Sequence, residues 1–239
     1  MTAKLLLTAA VLLIGGFSTG AQDLGLYTFR DGDVIAQDVV NSLINGQASK
    51  PNEYAKVVEG TPFFRDEWSD GALLLPGGKV IEHLRLKLDL LQKEIHYINA
   101  DSQEMILTTP VRAVKLAGST GPLIFISGTP WRSVERALDG AWVQVLVNDT
   151  VSLLHEIRKK QIEQRTFGGT AAERTISDVD VYYARMNGQL LPVRSWSDLP
   201  AMFGDKKESL TKFTRDHHLK GRTPDEYAQV VAYYNTLIK

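Results

Sequence analysis

The chain has no cysteine among its 239 residues, which removes disulfides, thiolate metal ligands and thiol nucleophiles together. It lacks an excess of either charge as well: 27 basic against 28 acidic residues leave a net charge of −1. That balance offers no electrostatic reason to expect nucleic acid or an anionic membrane as a partner. Phosphate-cradling and metal motifs are missing too, with no Walker loop, no dinucleotide fingerprint and no H-E-x-x-H run in the sequence. A domain without staples must be held by its core, and a chain of this length can build one.

What is present begins with an address. Met1-Thr2-Ala3-Lys4 carries one positive charge, Leu5 to Gly16 is almost unbroken apolar sequence, and Thr19-Gly20-Ala21 places small residues where a secretory peptidase cuts. The run falls short of the ~20 apolar residues of a spanning helix and ends in Gly15-Gly16. Residues 1–21 therefore read as a signal peptide, and the mature chain is expected to start at Gln22 in the periplasm or outside the cell. Losing Lys4 takes the mature charge to −2. No integral span is expected after cleavage.

The mature chain divides into three stretches. Residues 22–70 are mixed, with a short strand expected at Leu24–Tyr27 and a helix at Asp33–Asn45, where Ile35, Val39 and Leu43 share one face. Residues 71–193 read as short strands between turns. The clearest is Leu84–Leu90: leucine at every second position, with His83, Arg85, Lys87 and Asp89 between them on an expected wet face. Pro76-Gly77-Gly78-Lys79 and Gln92-Lys93 supply turns on either side. Further strands are expected at 94–99, 104–108, 111–116, 123–126, 143–147, 150–164 and 176–186, with an exposed loop at 165–175. Asn187-Gly188 is the strongest hairpin signal, because a type I′ turn needs positive φ at both central residues.

From residue 194 to 239 the period becomes helical. Starts are marked at Ser195 with Asp198, Asp205 with Glu208, and Thr223 with Glu226, the last with Pro224 in the first turn. The apolar stripes include Trp196, Leu199 and Phe203, then Leu210 and Phe213, then Tyr227, Val230, Val231 and Tyr234. The expected fold is α+β: an antiparallel β-meander of about ten strands, as a curved sheet or partly closed barrel, followed by a three-helix segment packed on it.

Without cysteine, histidine is the first residue to test for metal or acid–base work. Asp216-His217-His218 sits at an expected helix end, where cationic side chains are favoured and adjacent rings diverge. His83 and His96 are placed on facing strands of a cationic, solvated face. His155 keeps the phase of Val151, Leu153 and Ile157 and should point to the core, with Glu156 opposite. Gly118-Ser119-Thr120-Gly121 reads as a turn, lacking the spacing of a nucleophile elbow. Asp178 and Asp180 share a strand face roughly 7 Å apart, a spacing compatible with glycoside hydrolysis. Asp31-Gly32-Asp33 fails the EF-hand pattern. Phe63, Phe64, Trp68 and Tyr183 either line a cavity in the sheet or fill it as plugs, and the plug reading is preferred.

The signal ending Gly20-Ala21-Gln22, the Gly60-Thr61-Pro62-Phe63-Phe64 entry and the tail from Gly204-Asp205-Lys206-Lys207 to Tyr233-Tyr234-Asn235 carry a resemblance. On them the chain resembles a set of uncharacterised secreted proteins of Bacteroidota-type Gram-negative bacteria. The resemblance implies location and architecture and assigns no activity. No catalytic, cofactor-binding or metal-ligating residue is assigned, and no cofactor is expected. The expected function is that of an exported, non-enzymatic binding or envelope-interaction protein, its partner an unidentified protein or small ligand of the cell envelope. Two alternatives stand beside it: a periplasmic or secreted hydrolase with a dispersed site, and a structural partner pairing through an exposed strand edge near Gly71 to Leu75.

Overall fold

The computed structural model describes residue 29 and residues 43–49, 57–165 and 172–239. The signal peptide, the Leu24–Tyr27 strand, residues 33–42 of the expected helix and Asp31-Gly32-Asp33 lie outside the described residues. The body is one open sheet of twelve strands. In chain order these are β1 (Gly46–Ala48), β2 (Val57–Glu59), β3 (Ser69–Leu74), β4 (Val80–Asp89), β5 (Glu94–Ile98), β6 (Glu104–Leu107), β7 (Ala113–Leu116), β8 (Leu123–Ser127), β9 (Trp142–Val147), β10 (Ser152–Arg165), β11 (Ala172–Met186) and β12 (Gln189–Val193). Three α-helices follow: α1 (Asp198–Ala201), α2 (Lys207–Asp216) and α3 (Pro224–Leu237). No described helix is long and apolar enough to cross a membrane.

Local chemistry explains most of these elements. Gly77 and Gly78 both take positive φ between β3 and β4, and Asn187 (φ 50°) with Gly188 (φ 76°) closes the β11–β12 hairpin as the Asn-Gly pair requires. Leu84, Leu86 and Leu88 are buried while Arg85 between them is exposed. Of the expected helix caps Thr223 acts as one, accepting the Glu226 N–H at 3.4 Å, while the Ser195 hydroxyl meets that of Ser197; the Asp205 side chain lies outside the described ones. The Glu226 carboxylate turns to the N–H groups of Arg222 and Lys220 instead, which hold its pKa below the usual carboxylate range.

The expected ten-stranded antiparallel meander needs correction on three points. Among the described residues there are twelve strands; β2 pairs with β11 in parallel; and the order runs β1-β6-β5-β4-β3-β7-β8-β9-β10-β11-β12, so two meanders are joined where β7 returns beside β3. The strand at Gly71 to Leu75 is therefore no edge, because β3 is paired with β4 on one side and β7 on the other. Nor is β11 preceded by a loop reaching residue 175: Ala172 to Thr175 already pair with β10.

The join also bends the sheet. From β6 to β7 is four strand spacings, roughly 19 Å if flat. The six residue steps from Leu107 to Ala113 reach about 20 Å fully extended, and Val111 in that link packs into the core. Trp142 at the start of β9 donates its indole N–H to the Lys93 carbonyl of the β4–β5 turn at 3.2 Å although β9 lies four strands from β4, so the sheet is curled.

Each sheet face is a separate core. The first face carries Leu73, Leu84, Leu86, Leu88, Ile95, Tyr97, Val114 and Phe125, with Trp142 and Ile157 packed against them. Farther along the same face, Val151, Leu153, Tyr182, Ala184 and Val193 meet the apolar stripes of the helices. The second face holds Leu74, Ala113, Ile124, Ile126, Val143, Leu154, Tyr183 and Leu190 beneath Leu138, Trp131 and Phe29.

Candidate functional site

The residues with chemical potential gather on β10 and β11, whose registered pairing sets their neighbours. His155 lies opposite Tyr182, Ile157 opposite Asp180 and Lys159 opposite Asp178, all on the first face. The imidazole Nε2 meets Asp180 Oδ1 at 2.7 Å and the Lys159 ammonium meets Asp178 at 2.7 Å. Both carboxylates that share the strand face are thus engaged by cross-strand partners.

Burial decides what the His155–Asp180 pair can do. The imidazole is buried, its Nδ1 has no hydrogen-bond partner, and its ring stacks on Tyr182, which stacks in turn on Tyr227. Asp180 is the exposed member, its side chain 56% accessible. A hydrolytic triad has the reverse arrangement, with a buried carboxylate aiming the imidazole at a nucleophile that substrate can reach. Burial pushes the His155 pKa below its usual value, against the opposing pull of Asp180 and Glu156.

On the second face Glu156, Arg158 and Tyr183 form a closed network. The Tyr183 hydroxyl donates to Glu156 at 3.0 Å, and Arg158 donates to the Tyr183 oxygen at 2.8 Å while pairing with Glu156 at 2.9 Å. Burial, reinforced by the Glu156 charge, raises the Tyr183 pKa well above the tyrosine range. Beside this network a notch of about 210 Å³ opens between the β4–β5 turn and the start of β9. Its walls include Leu90, Leu91, Lys93, Trp142, Arg158 and Lys159.

The other histidines are structural. His96 is buried rather than solvated, and it faces Lys87 across the ladder, not His83. Its Nδ1 contacts Glu104 at 2.6 Å while Glu94 lies 3.8 Å from the opposite ring nitrogen, so the two carboxylates cannot share one ion with it. Phe63 meets the His96 ring edge-on. His83 sits at the β3–β4 irregularity with φ 58°. Asp89, expected on the wet face, is fully buried beneath the Phe63 bridge and accepts the Gln92 N–H at 2.7 Å. His217 caps the end of α2, its Nδ1 3.0 Å from the Phe213 carbonyl, and His218 takes the positive φ that follows a helix. Among the described residues no group of three or more His, Asp or Glu is arranged to hold a metal ion.

A shallow groove of about 480 Å³ lies over β3, β4 and β7, floored by the Lys115–Glu82 ion pair at 3.0 Å. Of the aromatics expected to line or fill the sheet, Tyr183 is buried at 1% exposure, while Phe63, Phe64 and Trp68 are half-buried, Phe64 against Phe125 at 4.8 Å and Trp68 near Lys87. Comparison of the chain with protein-family models, with curated proteins and with solved structures finds no match. Sequence periodicity placed His155, Asp178 and Asp180 on their faces. It missed Lys159 and the Glu156–Arg158–Tyr183 network, because those partners depend on cross-strand register.

Proposed function

We propose that the protein is an exported, non-catalytic interaction protein of the cell envelope that meets its partner on its outer surface. The observation that carries this reading is the packing of both faces: Phe64 lies on Phe125 over the first face and Tyr183 is buried in the second. The reversed burial of His155 and Asp180 supports it, since a substrate has no route to the imidazole. The signal-like first 21 residues supply the envelope address. In assays of the purified mature chain against glycosides, esters and peptides, no turnover is expected. Turnover that disappears in both His155→Asn and Asp180→Asn overturns the reading in favour of a hydrolase.

A further inference from the structure

We infer that the groove over β3, β4 and β7 is a binding site for an uncharged saccharide, held through its hydroxyl groups by Asp70, Glu82, His83 and Lys115. The inference rests on the interaction-protein reading and names the partner chemistry. The groove measures about 480 Å³, inside the range of about 300–1,000 Å³ usual for small-ligand clefts. Its depth comes from Gly71, Ala72, Ala117 and Gly118, which have one side-chain carbon or none. Gly71 is required on the floor, because a Cβ there would collide with the Lys115 carbonyl.

A β-bulge turns two consecutive residues of β4 into this groove. Gly71 faces Leu84 and Leu73 faces Ile81, so β4 advances three residues where β3 advances two. In an unbroken strand Glu82 and His83 would point to opposite faces. With the extra residue both line the groove. His83 takes φ 58° to do so, a region sparsely populated by residues with a side chain. Backbone of this kind gathers at binding sites, where the surrounding structure holds it. The His83 ring is exposed and makes no hydrogen bond or ion pair among the described residues, so no contact of its own explains the conformation.

The lining selects the chemistry by elimination. Glu82 and Lys115 pair at 3.0 Å and neutralise each other, and Arg85 lies 3.7 Å from Asp70, so these groups have no net charge with which to hold an ion. Strand β3 is paired on both sides, which leaves a peptide no strand edge to extend. Among the described residues no aromatic ring lines the groove, so a planar base has nothing to stack on. What the paired ions retain is hydrogen-bonding capacity. An ammonium has three donors and a carboxylate two oxygens, and the Glu82–Lys115 contact uses one of each. Spare donors on Lys115, spare acceptors on Asp70 and Glu82, and the ring nitrogens of His83 match sugar hydroxyls, which both donate and accept. Ala117 and Pro122 offer apolar surface to the C–H face of the ring.

The test is titration calorimetry of the full mature chain with maltotriose, cellotriose, mannotriose and tri-N-acetylchitotriose as probes. Saturable binding of at least one is expected, with an affinity that changes less than about twofold between low and high salt, because the ligand carries no charge. His83→Gly removes the ring and relaxes the backbone at φ 58°, so the urea midpoint should hold or rise while binding weakens about tenfold. Ala117→Phe, checked for folding by circular dichroism, sets a ring in the groove and should abolish binding. No binding of any of the four probes, or binding left unchanged in both variants, overturns the inference. Binding that falls steeply with salt overturns it too. Glycoside turnover by the chain overturns the underlying reading instead, so the two failures are distinguishable.

Discussion

The first face of the sheet is buried in two ways. Over β3 to β8 the sheet covers itself: it curls, the Leu107–Ala113 link closes one end, and Phe64 seals the core against Phe125. Over β9 to β12 the same face is covered by helices, with Leu199, Phe203, Leu210, Tyr227, Val230 and Val231 laid on Val151, Leu153 and Val193. Each fully buried aliphatic or aromatic side chain contributes about 1.5–3 kcal/mol in either half. The difference lies in connectivity. Removing the cover from the first half means uncurling the sheet, whereas the helices are a separate layer that can lift away while the strands keep their ladder.

Substitutions can sharpen or break that distinction. Phe125→Ala, at the centre of the curled half, should cost about 3–5 kcal/mol and lower the midpoint of a single cooperative urea transition. A transition that splits in two would show that the halves are less coupled than the continuous ladder implies. Asn235→Ala should cost about 2–4 kcal/mol, because its side chain both accepts from the Val151 N–H and donates to the Val151 carbonyl, each at 2.8 Å, in a buried site. Its signature is local: hydrogen exchange should rise in α1 to α3 while β3 to β8 stay protected. Equal loss in both halves would remove the claim that the helices form a separable layer.

The smallest effect is a pH dependence confined to the helix-covered half. Burial lowers the His155 pKa in the folded chain, so between the usual imidazole value, near 6.5, and that lower value the unfolded chain binds the proton more readily. Stability contributed by neutral His155 is therefore complete above the usual value and lost as pH falls through the folded one. Urea midpoints should decline across that window in the native chain and more shallowly in His155→Gln. An unchanged slope would show that folding does not shift the His155 pKa.

Much of the fold is legible in local pattern. The alternation at Leu84 to Leu90 marks β4, Asn187-Gly188 marks the β11–β12 turn, and the helical stripes mark the residues that α1 to α3 bury. Strands β1 and β2 are three residues each, too short to show a period, and were not expected. Gly60 explains part of β2: it takes φ +79° where any Cβ would collide with the Ile176 carbonyl, a constraint that only the partner strand reveals. His96 and Asp89 were placed on a wet face because alternation gives only the side of a strand. It does not say that Phe63 covers that side.

By itself the sequence determined a cysteine-free, strand-rich chain with a helical tail, because period, turn chemistry and composition act over a few residues. Only the tertiary structure decided that β7 returns beside β3, that β2 joins β11 in parallel, and that the strand at Gly71 to Leu75 is paired on both sides rather than an edge. The physical reason is that pairing partners are chosen by long-range register and by which faces find cover. A strand's own residues state which side is apolar and leave open what lies against it.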